Sequence, residues 1–456
     1  MKHQVFWAST TVLLGTIAAC TPRVASAPAP TPVSANAIGS TSGSVTPVEA
    51  AITKAVDRRN AEGLVLLERL VNINSGTMNF AGVRQVGGIL RGELDALGFE
   101  TRWEDGAAFG RAGHLIAERS GKGPRLLLIG HLDTVFEPTS HFQKLEHLTD
   151  STARGPGVID MKGGDVIMVQ AFKALRAAGV LDNMSITAVF SGDEEDAGRP
   201  LSLARAALEA AAKRSQFAIG FEDGSGDPHT AVISRRGASS WTVISTGIPA
   251  HSSQIFRSDV GAGAIFESAR VLDQFRTQLS AQQYLTFNPG FAVGGTDVRM
   301  DSTQPGGTAF GKSNVVSKEM RVSGDLRTLS PEQLASVKQS MRAIVGRSLP
   351  KTTSEITFSD GYPPLAPTDG NRRVLAIYDA VSRDLGFGPV VAVDPMRAGA
   401  ADVSFTATYI SSAIDAVGLA GWDDHTDKET ANLNWFARQT KRDAVLLYRL
   451  SRTPTR

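Results

Sequence analysis

Along residues 48–230 the apolar positions follow two alternating rhythms. Ile52, Val56, Leu64, Leu67 and Leu70 recur at helical spacing over 50–71, and Val86, Ile89, Leu90, Leu94 and Leu97 repeat it over 86–97. Short apolar runs bounded by turn residues follow at 115–117, 126–129, 186–190 and 217–221, with a helical stretch over 164–178. Runs that are apolar on both faces and alternate with helices predict an α/β fold, a mostly parallel central sheet flanked by helices. The rhythm changes after about residue 230. Segments 238–246 and 320–326 alternate like half-buried antiparallel strands, and helical patterns fill 262–279 and 331–345. This predicts a smaller α+β module, two helices on an antiparallel sheet, inserted over 231–348 between two parts of the larger domain, 48–230 and 349–456. The returning part carries a helix over 372–384, a strand over 413–417 and a last helix over 433–450.

Ionisable residues crowd the ends of the predicted strands. The run at 126–129 leads into His131-Leu132-Asp133, and 186–190 into Ser191-Gly192-Asp193-Glu194-Glu195-Asp196. The run at 217–221 leads into Glu222-Asp223, and 413–417 passes through a glycine-rich loop to Asp423-Asp424-His425. Loops beyond the carboxyl ends of strands in an open α/β sheet share one rim, where ligands bind. Four such loops therefore gather two histidines and several carboxylates. Carboxylates at that density repel one another and a divalent cation neutralises them; imidazole with carboxylate oxygen suits zinc over calcium or magnesium. Segment 155–164, Gly-Pro-Gly-Val-Ile-Asp-Met-Lys-Gly-Gly, presents Asp160 on a sharp turn before a helix. One such carboxylate could span two metals ~3.5–4 Å apart.

Composition narrows the partners. Lys+Arg number 47 against Asp+Glu 46 over 456 residues, a balance that argues against a nucleic-acid binder and for a small molecule or peptide. The start is separate in kind. Lys2 and His3 precede an apolar stretch around Val12-Leu13-Leu14, which ends Ile17-Ala18-Ala19-Cys20. That is the layout of a secretory signal over 1–20, and small residues before a cysteine resemble the lipobox of bacterial lipoproteins. The resemblance implies an exported protein, periplasmic or held to the membrane only through a lipid on Cys20. Cys20 is the single cysteine, so no internal disulfide forms. Residues 21–47 are mostly Ala, Pro, Ser, Thr and Gly and read as a flexible tether. No later stretch is apolar enough for a membrane span.

Taken in order, His-x-Asp after a strand, Gly-x-Gly-x-x-Asp-x-Lys-Gly-Gly, Gly-Asp-Glu-Glu and a late His resemble the zinc exopeptidase and deacylase family. That family includes glutamate carboxypeptidase, acetylornithine deacetylase and succinyl-diaminopimelate desuccinylase. The resemblance spans about residues 50–450 and is nearest to glutamate carboxypeptidase. It implies two zinc ions per subunit: His131 on one, His425 on the other, Asp160 bridging, and Glu195 and Glu222 each joining one metal. Asp133 would orient the His131 imidazole, and Glu194 would be the general base toward a metal-activated water. His251 would stabilise the oxyanion in a partner subunit's site, which implies a homodimer joined through the inserted lid. Asn314 and Arg327 would hold the substrate's carboxylate or tetrahedral oxygen. The implied reaction cleaves an amide or peptide bond next to a C-terminal amino acid; the alternative within the family is an N-acyl amino acid deacylase. Asp223, adjacent to Glu222, competes for its role. Two positions depart from the pattern: Met161 stands where many members have a second acidic residue, and Trp422-Asp423-Asp424 is bulkier and more acidic than the usual approach to the late histidine.

Two other classes fit the sequence less well. Residues 306–313 satisfy a P-loop pattern, but the preceding residues are polar and the following ones alternate like a strand, so no helix N-terminus meets a phosphate. A tethered binding protein that has lost catalysis would keep the ligands; the presence of Glu194 beside them argues against it.

Overall fold

The computed structural model describes residues 45–223, 226–301 and 306–454. The predicted signal, Cys20 and nearly all of the predicted tether lie outside these residues. A mixed six-stranded sheet forms the centre, in the order Glu100–Asp105, Gly113–Arg119, Met184–Ser191, Lys122–His131, Phe217–Gly220, Ala413–Ile414. The last four run parallel and the first two are antiparallel additions. The outermost strand, Glu-Thr-Arg-Trp-Glu-Asp, escaped the apolar-run reading because it is an edge, charged and largely exposed.

The inner strands are buried on both faces. Leu126 and Leu128 enter a core shared with Leu67, Leu70, Ile167, Phe172 and Leu446, from helices Pro47–Val71, Lys162–Ala177 and Phe436–Ser451. Leu127 and Ile129, pointing the other way, pack with Leu208, Ala211, Val403 and Phe405. The first helix starts on a capping box, Thr46 and Glu49 each accepting from the other's backbone N–H. Glu49 also pairs with Arg449 of the last helix at 2.7 Å, so both ends of the folded region meet.

A second, four-stranded antiparallel sheet runs Thr286–Gly295, Glu319–Arg327, Ser239–Gly247, Thr352–Asp360. Trp241, Val243, Val322 and Leu326 from it bury against Val271 and Phe275 of helix Gly263–Leu279 and Val337 and Met341 of helix Pro331–Val345. Its outer strands were not legible: one carries Pro289 and Gly290, the other is rich in Thr and Ser. The two chain crossings between this sheet and the central layer hydrogen-bond to each other, Ala238 N to Tyr362 O at 2.8 Å and Arg235 N to Leu365 O at 3.0 Å. The P-loop-like residues include a strand, Gly307–Phe310, paired with Asp297–Met300. Among the described residues no helix is long and apolar enough to cross a membrane.

A third small sheet matters for the site. Gly421–Trp422 and Thr430–Asn432 form a hairpin that pairs with Thr152–Arg154, the strand just before the Gly155–Gly164 turn. This pairing carries His425, at the hairpin tip, to the Asp160 turn.

Candidate metal centre

His131 closes strand Lys122–His131 and is buried. Its Nδ1 lies 3.1 Å from the Asp133 carbonyl oxygen, an acceptor only, so Nδ1 carries the proton and Nε2 is turned to the rim. There Nε2 faces Asp160 Oδ1 at 3.0 Å and Glu222 Oε2 at 3.6 Å. Glu222 reaches it because strand Phe217–Gly220 is the parallel neighbour of His131's strand. On the other side His425 Nε2 lies 2.8 Å from Asp160 Oδ2 and 3.2 Å from Glu195 Oε2. Asp160 thus offers one oxygen to each imidazole. Asp423 and His425 have φ of 62° and 59°, the left-handed turn that folds the hairpin tip back onto the rim.

The Asp160 turn is held from beneath by Glu429, a buried carboxylate that the sequence did not single out. Its Oε1 accepts from Ile159 N (2.9 Å) and Asp160 N (3.1 Å), its Oε2 from Gly157 N (3.0 Å). The buried ammonium of Lys162 donates to the Ile73 carbonyl at 2.9 Å, close to this charge. Asp133 has a wider part than orienting the imidazole. Its carboxylate is 3.5 Å from His131 Nδ1, and it accepts from Glu194 N (3.0 Å), Glu195 N (3.1 Å) and Thr77 Oγ1 (2.7 Å). It therefore fixes the backbone of the two adjacent glutamates.

The electrostatics are those of an overfilled carboxylate nest. Burial, and then the charge of Asp160, push Glu195 up to about 7; burial does the same to Glu222, against the pull of His131. Glu194 is raised by burial and by Glu222 and Asp402. Burial also works on Asp160, but His131 and His425 outweigh it and hold the carboxyl below its ordinary range. Hydrogen bonds to Asp160 and Glu195 lift the half-exposed His425 to about 11.

The residues fit a divalent pair. His131, Asp160 and Glu195 bring ligand atoms within 4.8 Å of one another, as do His131, Glu194 and Glu222, and Asp160, Asp424 and His425. Glu195 Oε1 is buried with no hydrogen-bond partner among the described residues, an acceptor left for a cation. Asp223 joins Asp160 and Glu222 in a further group, without an imidazole.

The cavity over this cluster measures about 420 Å³. Besides the acidic residues, Arg235, Arg397, Val232, Val393 and Trp422 line it. Both arginines went unread in the sequence, since neither follows a strand end with a recognisable pattern. Arg235 is neutralised by Asp415 at 2.6 Å; Arg397 has no ion-pair partner among the described residues. His251, Asn314 and Arg327 do not line the cavity of their own chain. His251 and Asn314 sit together, with Ser252 N on the Asn314 carbonyl at 2.9 Å, and Arg327 pairs with Asp325 at 3.0 Å.

An α/β sheet rim holding two imidazoles, a shared aspartate and flanking glutamates defines a metal-dependent hydrolase with room for two cations. The chain belongs to peptidase family M20/M25/M40, which residues 127–448 match, and is accordingly a metallopeptidase or amidohydrolase. It is 25% identical over 364 residues to carboxypeptidase G2 of Pseudomonas sp. (strain RS-16), covering 79% of this chain and 82% of that protein. It is 26% identical over 357 residues to succinyl-diaminopimelate desuccinylase of Gluconacetobacter diazotrophicus, covering 69% of this chain and 90% of that one. Its fold is similar to aminopeptidase PepT of Bacillus cereus (TM-score 0.65, 18% identity, 86% and 99% of the two chains). A dinuclear metal-binding peptidase of Bacillus subtilis shares it too (TM-score 0.60, 15% identity, 87% and 100%).

Proposed function

We propose that this protein is a di-zinc hydrolase that cleaves an amide or peptide bond next to a C-terminal amino acid. The observation that carries this reading is Asp160, one oxygen on His131 and the other on His425, with Glu222 and Glu195 completing the two sides. These five residues would hold the zinc, which would supply Lewis acidity toward a water and the substrate carbonyl. Glu194, whose ordinary affinity for a proton is raised by burial, takes a proton from the attacking water and returns it to the departing amine nitrogen. Asp133 holds Glu194 and Glu195 by their backbone N–H groups so that one side chain ligates while the other stays free. Arg397 receives the α-carboxylate of the substrate, being the cavity's unpaired cation among the described residues.

His251, with Asn314 beside it, acts across a homodimer, reaching a partner's cavity; Arg327 stands apart from them, at the opposite end of strand Glu319–Arg327. Support comes from the absence of His251 and Asn314 from their own cavity and from the apolar surface beside His251, where Ile248, Phe256 and Phe266 are exposed. The run Ile17-Ala18-Ala19-Cys20 supports an exported chain, periplasmic or held to the membrane by a lipid on Cys20.

Hydrolysis of a panel of N-acyl and peptidyl amino acids with added zinc tests the reading. Release of a free C-terminal amino acid by the wild type, and its near-complete loss in Glu194→Gln with metal content kept, is expected. Bound metal without turnover on any substrate would point instead to a binding protein. Mixing His251→Ala with Glu194→Gln should restore activity if the site is shared; no restoration contradicts the shared site.

A further inference from the structure

The loop that carries Glu194 is clamped from behind by buried groups. Arg205 is 1% exposed and places Nε 2.7 Å from Asp402 Oδ1 and Nη1 2.6 Å from Asp193 Oδ1. Its Nη2 donates to the Asp193 carbonyl at 3.1 Å and to the Tyr362 hydroxyl at 3.0 Å. The second oxygen of Asp402 accepts from Ser191 Oγ at 2.5 Å. Tyr362 passes the chain of bonds on, donating its proton to the main-chain carbonyl of Glu194 at 2.8 Å.

The backbone of Glu194 is therefore gripped at both ends. Its N–H meets Asp133 and its carbonyl meets Tyr362, and the Glu195 N–H, which lies in the same peptide plane as that carbonyl, meets Asp133 Oδ2 at 3.1 Å. A peptide plane held by one hydrogen bond can still rotate about it; held by two, it cannot. The plane in question joins Glu194 to Glu195, so its orientation sets where the Glu194 side chain leaves the loop, while Glu195 keeps its own hold through Oε2, 3.2 Å from His425 Nε2. Arg205 bonded to the phenol oxygen polarises the O–H, which strengthens its donation to the carbonyl. Tyr362 belongs to the crossing segment that follows strand Thr352–Asp360, more than 160 positions away in sequence.

We infer that Tyr362 is a positioning residue for Glu194, its hydroxyl aiming the Glu194 carboxylate through the 194–195 peptide. The inference rests on Glu194 being the base. Tyr362 touches no reacting atom, and its contribution is to turnover, not to substrate or metal affinity.

Tyr362→Phe removes one oxygen and keeps the ring, which packs against Phe405 at a centroid distance of 5.0 Å and beneath the Arg205 guanidinium at 5.7 Å. Tested in the full-length, zinc-loaded protein, it should lower kcat about tenfold, the equivalent of ~1.4 kcal/mol. KM should change less than twofold and zinc content should not change. In a Glu194→Gln background the same substitution should alter the residual turnover less than twofold, because no base remains to be misaimed. A kcat within twofold of wild type overturns the inference. So does an equal fall in both backgrounds, which marks general loosening of the fold. Retained activity in Glu194→Gln alone overturns both the base and its positioning; an inactive Glu194→Gln beside an unimpaired Tyr362→Phe overturns the positioning only.

Discussion

Glu429→Gln is the substitution whose consequence is best defined by the structure. The side chain keeps its shape, but one of its two terminal atoms becomes a donor. If the amide oxygen takes the Oε1 position, it still accepts from Ile159 N and Asp160 N, now as a neutral acceptor. The amide nitrogen then faces Gly157 N, two donors in contact. A hydrogen bond to a charged group contributes about 1.5–3 kcal/mol and one between neutral groups about half of that; a stranded buried N–H costs about 1–3 kcal/mol. Burial, and after it the charge of Asp160, raise the proton affinity of Glu429, and a neutral amide escapes both penalties, which offsets part of the loss. The net expectation is roughly 2–4 kcal/mol of stability. With an unfolding entropy of about 2.1 cal/mol/K per residue, that lowers the melting temperature by roughly 2–5 °C. Because the loosened turn carries Asp160, zinc affinity should fall as well. Urea unfolding and zinc titration of the two proteins side by side make the measurement. Unchanged stability together with unchanged zinc affinity would refute the claim that Glu429 holds the turn.

Two further predictions follow from packing and charge. A Cβ on Gly164 would lie inside the van der Waals shell of the Phe221 carbonyl oxygen, next to Glu222, so Gly164→Ala should push helix Lys162–Ala177 off that strand end. The expected cost is about 1–3 kcal/mol with weakened zinc binding; wild-type behaviour in both thermal melting and zinc titration would count against the tight seam. Glu118 is held at about 2 by hydrogen bonds from Arg214 and Arg102, burial opposing them. A depressed carboxyl stabilises above its ordinary value near 4.5 and loses that contribution as pH falls toward 2. Both arginines are about half exposed, so the pair adds only about 1 kcal/mol. Wild type minus Glu118→Gln stability, followed by denaturant melts, should be positive at pH 7 and shrink below pH 4.5; a gap that widens with acid contradicts it.

Much of the catalytic layer was legible because its strands are buried on both faces and end abruptly in ionisable residues. The strand ends set His131, the carboxylates of 193–196, Glu222 with Asp223, and His425 on a common rim; choosing Asp160, Glu195 and Glu222 among the carboxylates as ligands rested on the family resemblance. The contest between Glu222 and Asp223 needed coordinates, since only Glu222 comes within reach of His131 Nε2. What stayed hidden acts through backbone. Glu429, Tyr362, Arg205 and Asp402 bind main-chain N–H and C=O groups that carry no sequence signature, and their partners lie far along the chain. Edge strands were lost for the opposite reason: Glu100–Asp105 and Thr352–Asp360 are too polar to stand out from loops. His251 does not line the cavity of its own chain, and the pattern of one chain encodes only its exposure.

The most direct test of the two-metal account is to count and place the ions. Elemental analysis of the protein purified with zinc, joined to anomalous diffraction at the zinc edge, should give two ions per chain. One should lie between His131 and Glu222, the other between His425 and Glu195, with Asp160 touching both. A single ion, no ion, or two ions that do not share Asp160 would contradict it.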